Sequence, residues 1–261
     1  VSAPRGAINT GPRDWDAETY DRVSDPQFEW GMEVLDRLEL AGDETVLDAG
    51  CGTGRVTAEL LERLPRGRVI ALDASPAMIA KAREALGDAV EYVVMDLAEL
   101  ELAEAVDVVF STATFHWLPD HDNLFRRIAE TLKPGGRLHA QCGGAGNVAR
   151  HAEAIARVSS SAEFAEHFRN LPLIWNFSSA EQTAERLSGA GLEQIETSLE
   201  HKPLRPPEPR EFTRTVTIGP HLQRLPEELH DPFIDTVLAE TPGDFVLDYV
   251  RLNMAARKPA P

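Results

Sequence analysis

The sequence predicts a doubly wound, Rossmann-like α/β fold of seven strands, with helices on both faces and a small helical cap. Three observations carry that prediction. Apolar, β-branched runs alternate with helical stretches five times between residues 45 and 142, the pattern of right-handed β-α-β crossovers. The run TVLD at 45–48 opens directly into a glycine turn, AGCGTG, and then a helix start. Acidic residues, Asp48, Asp73 and Asp96, close three successive runs, and open α/β sheets bind ligands at such strand ends.

Taken in order, the first element is WDAETY, carrying Trp15 and Tyr20. Asp25 and Pro26 then read as a cap followed by proline in the first turn, and Phe28, Met32, Leu35 and Leu38 keep helical spacing to Leu40. That helix packs on the sheet, or else Trp15, Tyr20 and Trp30 close over a ligand as a lid. After the glycine turn, Val56, Leu60, Leu61 and Leu64 mark a helix that Pro65 to Gly67 breaks. RVIALD is the second strand, and Ser75-Pro76 starts a helix with Met78, Ile79, Ala82 and Leu86 on its inner face. EYVVMDL and VDVVFST are the third and fourth strands, the latter reaching Ser111 and Thr112. An aromatic turn, ATFHWLPDHDN, precedes a helix from Asn123 to Leu132, with Asp120 and His121 placed to cap it. LKPGGRLHAQC gives a turn and the fifth strand; GGAGN and a helical stretch run to Trp175. Ser179 caps a helix to Ser188, LEQIETSLEH is the sixth strand, and KPLRPPEP is a connector. Helical signals resume through REFTRTVTI and PEELHDPFIDTVLAE, and FVLDYVRLNMAARK is the final strand.

One domain over 1–261 is expected: an N-terminal lid and helix at 1–40, a cofactor-binding core at 41–145, a helical cap from 146–190 and 202–243, and the last two strands at 192–201 and 245–257. With 43% hydrophobic residues the chain can bury a core, and 43 acidic against 26 basic residues give a net charge of −17. That field repels polyphosphates, so neither nucleic acid nor an anionic membrane is an expected partner. A small molecule is, with the chain a monomer or a dimer. Two cysteines, Cys51 and Cys142, suit reduced thiols. The lack of an 18-residue apolar stretch or a signal pattern places the expected protein in the cytoplasm.

The chemistry starts at the glycine turn. Gly50, Gly52 and Gly54 allow a ligand close to the backbone, and the following helix offers N–H groups. A phosphate loop would continue Gly-Lys-Ser/Thr, whereas Arg55 and Val56 follow here, and a dinucleotide fingerprint would need glycine at 55. Asp48 at the strand tip repels a pyrophosphate and suits an ammonium or sulfonium, an attraction of about 4 kcal/mol at 4 Å before desolvation. Asp73, 23 residues beyond Gly50, stands where an acid takes a ribose diol.

VLDAGCGTG resembles motif I of the class I S-adenosylmethionine-dependent methyltransferases, and the likeness runs along nearly the whole chain. It implies S-adenosylmethionine as cofactor, an antiparallel last strand, and a cofactor site built from Asp48, Ala49, Gly50, Cys51 and Gly52 in the loop. Asp73 and Ala74 would meet the ribose, Met78 the adenine or the core. Asp96 would bond the adenine amino group with Met95 and Leu97 flanking the ring, and Ser111 and Trp117 would complete the site. VFSTATFHWLPDH, TIGPHLQRL and FVLDYVRLNMAARK resemble the trans-aconitate methyltransferase branch and, secondarily, juvenile-hormone-acid methyltransferases. Members of both methylate a carboxylate oxygen of a small acid. The chain departs from the first branch at His116, where a Gln usually precedes the Trp, and in its N-terminal segment. His116 is the candidate base if the acceptor is a hydroxyl or amine, or else shapes the turn with Trp117. Acceptor contacts are expected from Trp15, Tyr20, His116, Asn147 and Trp175, with His221 and Arg224 either pairing with a carboxylate or forming a solvated helix face. No metal-ligand spacing stands out. Outside this class, the fold admits an NAD-dependent oxidoreductase, disfavoured by Asp48 and Arg55, or a silent cofactor-binding module.

Overall fold

The computed structural model describes residues 24–171 and 174–261. Its elements are helix α1 (Asp25–Asp36), β1 (Thr45–Ala49), α2 (Arg55–Glu62), β2 (Arg68–Asp73), α3 (Pro76–Leu86), β3 (Glu91–Val94), β4 (Val106–Thr112), α4 (His121–Thr131), β5 (Leu132–Gly143), α5 (Ala149–Ser159), α6 (Ala180–Gly189), β6 (Glu193–His201), α7 (His230–Glu240) and β7 (Val250–Arg257). The strands form one seven-stranded sheet in the order β3-β2-β1-β4-β5-β7-β6. β1 through β5 pair in parallel. β7 lies antiparallel between β5 and β6.

Period-two alternation along the central strands makes two cores. Val46, Val69, Val108 and Phe110 point to the face covered by α1, α2 and α3, where they meet Leu35, Leu60 and Ile79. Leu47, Ile70, Leu72 and Val109 point to the other face and meet Phe125 and Ile128 of α4 and Leu187 of α6. Being buried on both faces is why these strands read as continuous apolar runs. A third core, Ile155, Val158, Phe164, Phe168, Ile218, Phe233 and Ile234, joins α5 to α7 beyond the sheet. Between them, Thr213–Thr217 forms a π-helical turn. Among the described residues no helix is long and apolar enough to cross a membrane.

Several boundaries differ from the sequence expectation. Ser24, not Asp25, is the N-cap of α1, and the helix ends at Asp36. β3 stops at Val94, so Asp96 stands past the strand and caps the 3-10 turn Leu97–Glu99, accepting from Ala98 N at 2.9 Å. That turn is the whole β3–β4 crossover, so the five-fold helical alternation is interrupted once. α4 begins two residues before Asn123, because Asp120 accepts from Asn123 N at 2.9 Å and so fixes the first turn. Ser179 caps α6 as expected, in a reciprocal capping box with Gln182. The final strand starts only at Val250; Leu247 before it bridges to Leu204. Both cysteines are free and buried. Trp15 and Tyr20 lie outside the described residues. Trp30 is no lid, being buried against Tyr249 and Arg251.

Leu47→Ala is expected to lower stability by about 2–5 kcal/mol, because a wholly buried side chain at the centre of the sheet leaves a cavity. Urea unfolding of the two proteins measures it.

Candidate functional site

The strand order reverses direction between β1 and β4, and a cavity of about 470 Å³ opens there at the carboxyl ends of the strands. Its lining divides into three parts. The glycine turn and the ends of β2 and β3 form one wall, and the aromatic turn after β4 forms a second. The third comes from the start of α5, the π-turn and the first residues of β7.

In the first wall the loop donors are spent on the protein itself. Gly50 N and Cys51 N both donate to Leu72 O, Gly54 N donates to Cys51 O, and Gly52 N donates to the Asp73 carboxylate at 3.0 Å. The loop therefore offers no cradle of free N–H groups at these positions for a pyrophosphate, contrary to the expectation from the glycines alone. What it offers is closeness. Gly50 has φ 86°, and a Cβ there would sit 2.2 Å from the Thr114 hydroxyl, so only glycine fits.

The three strand-end acids separate in role. The Asp73 carboxylate lines the cavity and accepts from Ser75 N at 2.8 Å as well as from Gly52 N. Burial raises its pKa, and those N–H groups oppose the rise. Asp96 lines the cavity and is exposed. Asp48 does not line it: the carboxylate is buried behind the loop and accepts from Thr57 Oγ1 at 2.7 Å. Desolvation lifts its pKa from 3.8 to about 7, with the nearby Asp73 charge adding to the rise. Ala49 and Ser111 are likewise behind the wall, joined by a 2.6 Å hydrogen bond from Ser111 Oγ to Ala49 O.

The aromatic turn is held rigidly. His121, which the sequence placed as a cap, is buried with Nε2 2.9 Å from Phe115 O. Asn176 N donates to His116 O, drawing Trp175 and Phe177 over the turn. Trp175 and Phe177 stack at 5.6 Å and 14°, and Trp117 stands 6.2 Å from Trp175. His116 is buried and its Nδ1 accepts from Gly143 N at 3.3 Å. In the neutral ring that bond leaves the proton on Nε2, which makes Nε2 a donor.

Of the residues singled out from sequence, Gly50, Gly52, Asp73, Ala74, Met78, Asp96, Leu97, His116, Trp117, Asn147 and Trp175 line the cavity. Cys51 and Met95 pack into the sheet cores instead. His221 is buried behind Trp175, in ring contact with Phe168 and Phe233, and Arg224 is off the cavity wall. Sequence reasoning missed Gln27, Phe177, Thr217, Tyr249 and Arg251, all of which line it. Arg251 is the notable one, a buried guanidinium packed over Trp30 at 4.8 Å with Nε donating to Gln141 at 3.2 Å. A cation inside the apolar run YVRLNM was the available signal. Ala113 and Val148, two non-glycine residues with φ of 55° and 46°, also line the cavity, the kind of strain that collects at functional sites.

A family described as a methyltransferase domain matches residues 46–136, from β1 to the turn within β5. Over those residues the chain is similar to a methyltransferase domain. This agrees with the family read from VLDAGCGTG. Trans-aconitate 2-methyltransferase of Escherichia coli K12 is 40% identical over 128 residues, 49% of this chain and 50% of that protein. The same-named protein of Shigella flexneri matches to the same extent. The chain thus spans about half the length of the curated relatives it matches, less than the near-complete likeness read from the motifs. Among solved structures, Haemonchus contortus phosphoethanolamine N-methyltransferase 2 superposes with a TM-score of 0.62 at 22% identity, covering 93% of this chain and 57% of that one. The [4+2]-cyclase SpnF superposes at 0.60 and 20% identity, covering 98% and 90%. The fold is therefore shared with these structures, while the cyclase shows that the fold alone does not fix the chemistry.

Two outcomes are expected at this site. Gly50→Ala abolishes ligand binding in calorimetry, because the added carbon meets Thr114 and φ is left-handed. Asp48→Asn, without ligand, raises stability by about 1–3 kcal/mol at pH 8 and has little effect near pH 4. The folded chain binds the Asp48 proton more tightly than the unfolded chain does, so this group lowers stability progressively as pH rises from 3.8 through about 7. Urea unfolding at the two pH values measures the difference.

Proposed function

We propose that the chain is an S-adenosylmethionine-dependent methyltransferase that methylates a carboxylate oxygen of a small acid and yields S-adenosylhomocysteine. The observation that carries the reading is the cavity's division into two chemical halves. Asp73 and Asp96 stand on one side of the strand-end crevice, and the buried Arg251 stands on the other.

The residues present fit the cofactor. Gly50, with no side chain, lets it reach the backbone; Asp73, pinned by two N–H groups, presents a carboxylate for a ribose diol; Asp96 and Leu97 stand where an adenine edge would lie. When bound, S-adenosylmethionine supplies a methyl group on a positively charged sulfur, which an acceptor oxygen displaces in line. The protein's task is then alignment and exclusion of water, for which effective molarities of about 10⁵–10⁸ M set the scale. The Trp117, Trp175 and Phe177 rings wall off water. A carboxylate is ionised at neutral pH and needs no base. That agrees with His116, whose Nδ1 is occupied and whose Nε2 carries a proton to donate. A phenol or carbon acceptor calls for a base and an amine for its neutral form, which makes a phenol, amine or carbon acceptor the second reading. The spent loop donors weigh against NAD. In the same reading, 146–190 and 202–243 cap the acceptor, and the protein is cytoplasmic, as a monomer or dimer. The charge of −17 favours a small molecule over nucleic acid or membrane.

The test uses methyl-labelled cofactor with a panel of small acids and phenols, followed by mild base. Label released as methanol marks an ester; label retained through base marks an ether or amine and ends the carboxylate reading. Cofactor binding with no turnover on the whole panel would leave a silent binding module. His116→Gln, which keeps a donor, is expected to hold kcat/KM within about threefold, whereas His116→Leu loses about tenfold or more with cofactor affinity unchanged.

A further inference from the structure

We infer that His151 is a positioning residue for the acceptor: as a neutral ring protonated on Nδ1, it ties the π-turn, with its Val216 and Thr217, to α5 at the cavity wall. The inference rests on the reading above that the cap holds the acceptor.

His151 is wholly buried and is not part of the cavity lining, so it acts through its neighbours. Its Nδ1 stands 2.9 Å from Thr241 Oγ1, just past α7, and its Nε2 stands 3.0 Å from Thr217 Oγ1 in the π-turn. Phe245 meets the ring edge-on at 5.5 Å and 87°. The ring thus joins three segments that each lead into the cavity. α5 starts beside Asn147 and Val148, the π-turn carries Val216 and Thr217, and the chain beyond Thr241 passes through Phe245 to Tyr249.

The cluster is one proton short. Thr217 Oγ1 also lies 3.1 Å from Thr213 O, and Thr241 Oγ1 lies 2.7 Å from Val237 O. Burial pushes the His151 pKa down to about 4, against the pull of Asp248, so the ring is neutral at pH 7. A neutral ring brings one N–H and each threonine one O–H, which leaves three protons for four contacts. The ring nitrogen without a proton takes its bond from the threonine facing it, and that threonine gives up its carbonyl. Either carbonyl can spare it, since Ile218 N donates to Thr213 O and Thr241 N to Val237 O, both at 3.0 Å. Hydroxyl-to-oxygen bonds run from about 2.5 to 3.0 Å. The Thr241 bond is central to that range and the Thr217 bond falls outside it, so Thr217 is the one that turns to the ring. Donation then runs from Thr217 to Nε2, and from Nδ1 through Thr241 to Val237 O.

The π-turn needs such a tie. It leaves Thr213 Oγ1 buried without a hydrogen-bond partner, so its own bonding does not account for its shape. Wide turns of this kind gather at functional sites. On the outside, Arg210 and Arg214 pair with Asp231 and Asp235 of α7, but those carboxylates are exposed, and water and salt weaken the pairs. The tie through His151 is shielded from both.

The test uses the full chain, and its first two readouts need no turnover. Nitrogen NMR of the histidine rings at pH 7, with the His151 signal assigned by its loss in His151→Gln, is expected to show Nδ1 protonated and Nε2 unprotonated. His151→Leu leaves each threonine its own carbonyl, so the chain stays folded and binds S-adenosylhomocysteine as before. Amide exchange at Thr217 and Ile218 should quicken about tenfold or more in His151→Leu. It should return to within about threefold in His151→Gln, whose amide keeps a donor and an acceptor. With methyl-labelled cofactor and the panel of small acids, KM for the esterified acid should rise about tenfold in His151→Leu, with kcat within about threefold, and recover in His151→Gln. A ring protonated on Nε2, or on both nitrogens, overturns the inference. So does unchanged exchange in a folded His151→Leu, or quickened exchange with KM unchanged. Should His151→Leu misfold, Thr217→Val serves in its place: exchange at Ile218 quickens, and an unchanged rate overturns the tie. No acid turned over, with tautomer and exchange as expected, refutes the methyl-ester reading and leaves the tie supported.

Discussion

Between β1 and β4 the chain stops adding strands on one side of the sheet and begins adding them on the other. The helices that follow β1 and β4 leave toward opposite faces, so neither covers the strand ends between them, and a crevice is unavoidable. The rest of the structure follows from that gap. The glycine turn sits at its floor because β1 ends there. Asp73 reaches it because β2 is the next strand over, and the aromatic turn overhangs it because β4 ends on the far side. Two cores, one per face, hold the strands in register, so that a shift of one residue would turn Val46 and Leu47 to the wrong sides.

Within the crevice the electrostatics are sorted. Carboxylates gather on the β1–β3 side, and the buried guanidinium comes from β7. Asp48 belongs to the first group by position but not by exposure. It lies behind the loop, bonded to Thr57 at the start of α2, where burial opposes its ionisation. Its contribution is to the seating of the loop on the helix and to the field sensed through it. Backbone strain is found in the same wall, at Ala113 and Val148. These positions shape the wall at a conformational cost the two cores sustain.

The parts of this site that could be read from sequence are those that act locally. A glycine turn after an apolar run, an acid at a strand's end and an aromatic turn before a capped helix carry their meaning within about ten residues. Gly50, Asp73 and Trp117 were legible for that reason. The interrupted crossover at Leu97–Glu99 was not, because a short 3-10 turn satisfies the same connection without any helical period. Arg251 escaped for a different reason. It is 201 residues from Gly50 in the chain, and only the insertion of β7 beside β5 brings it to the cavity. The expected acceptor cation, Arg224, sits in a segment that also read as a solvated helix face, and Trp175 and the third core stand between that segment's His221 and the crevice. Burial of Asp48 was hidden as well, since sequence shows that an acid ends a strand but not which side of the loop its carboxylate takes.

The placement of β7 has a consequence for how the molecule is put together. It comes last among the strands in chain order, yet it is an interior strand, bonded to β5 along one side and β6 along the other. Until it docks, β5 presents an open row of amides and carbonyls and β6 has no partner, a state prone to sticking to other chains. The same docking event delivers Tyr249 and Arg251 to the crevice. Closure of the hydrogen-bonded ladder and completion of the cavity wall are therefore one event, and a molecule whose crevice is complete is a molecule whose vulnerable edge has already been sealed.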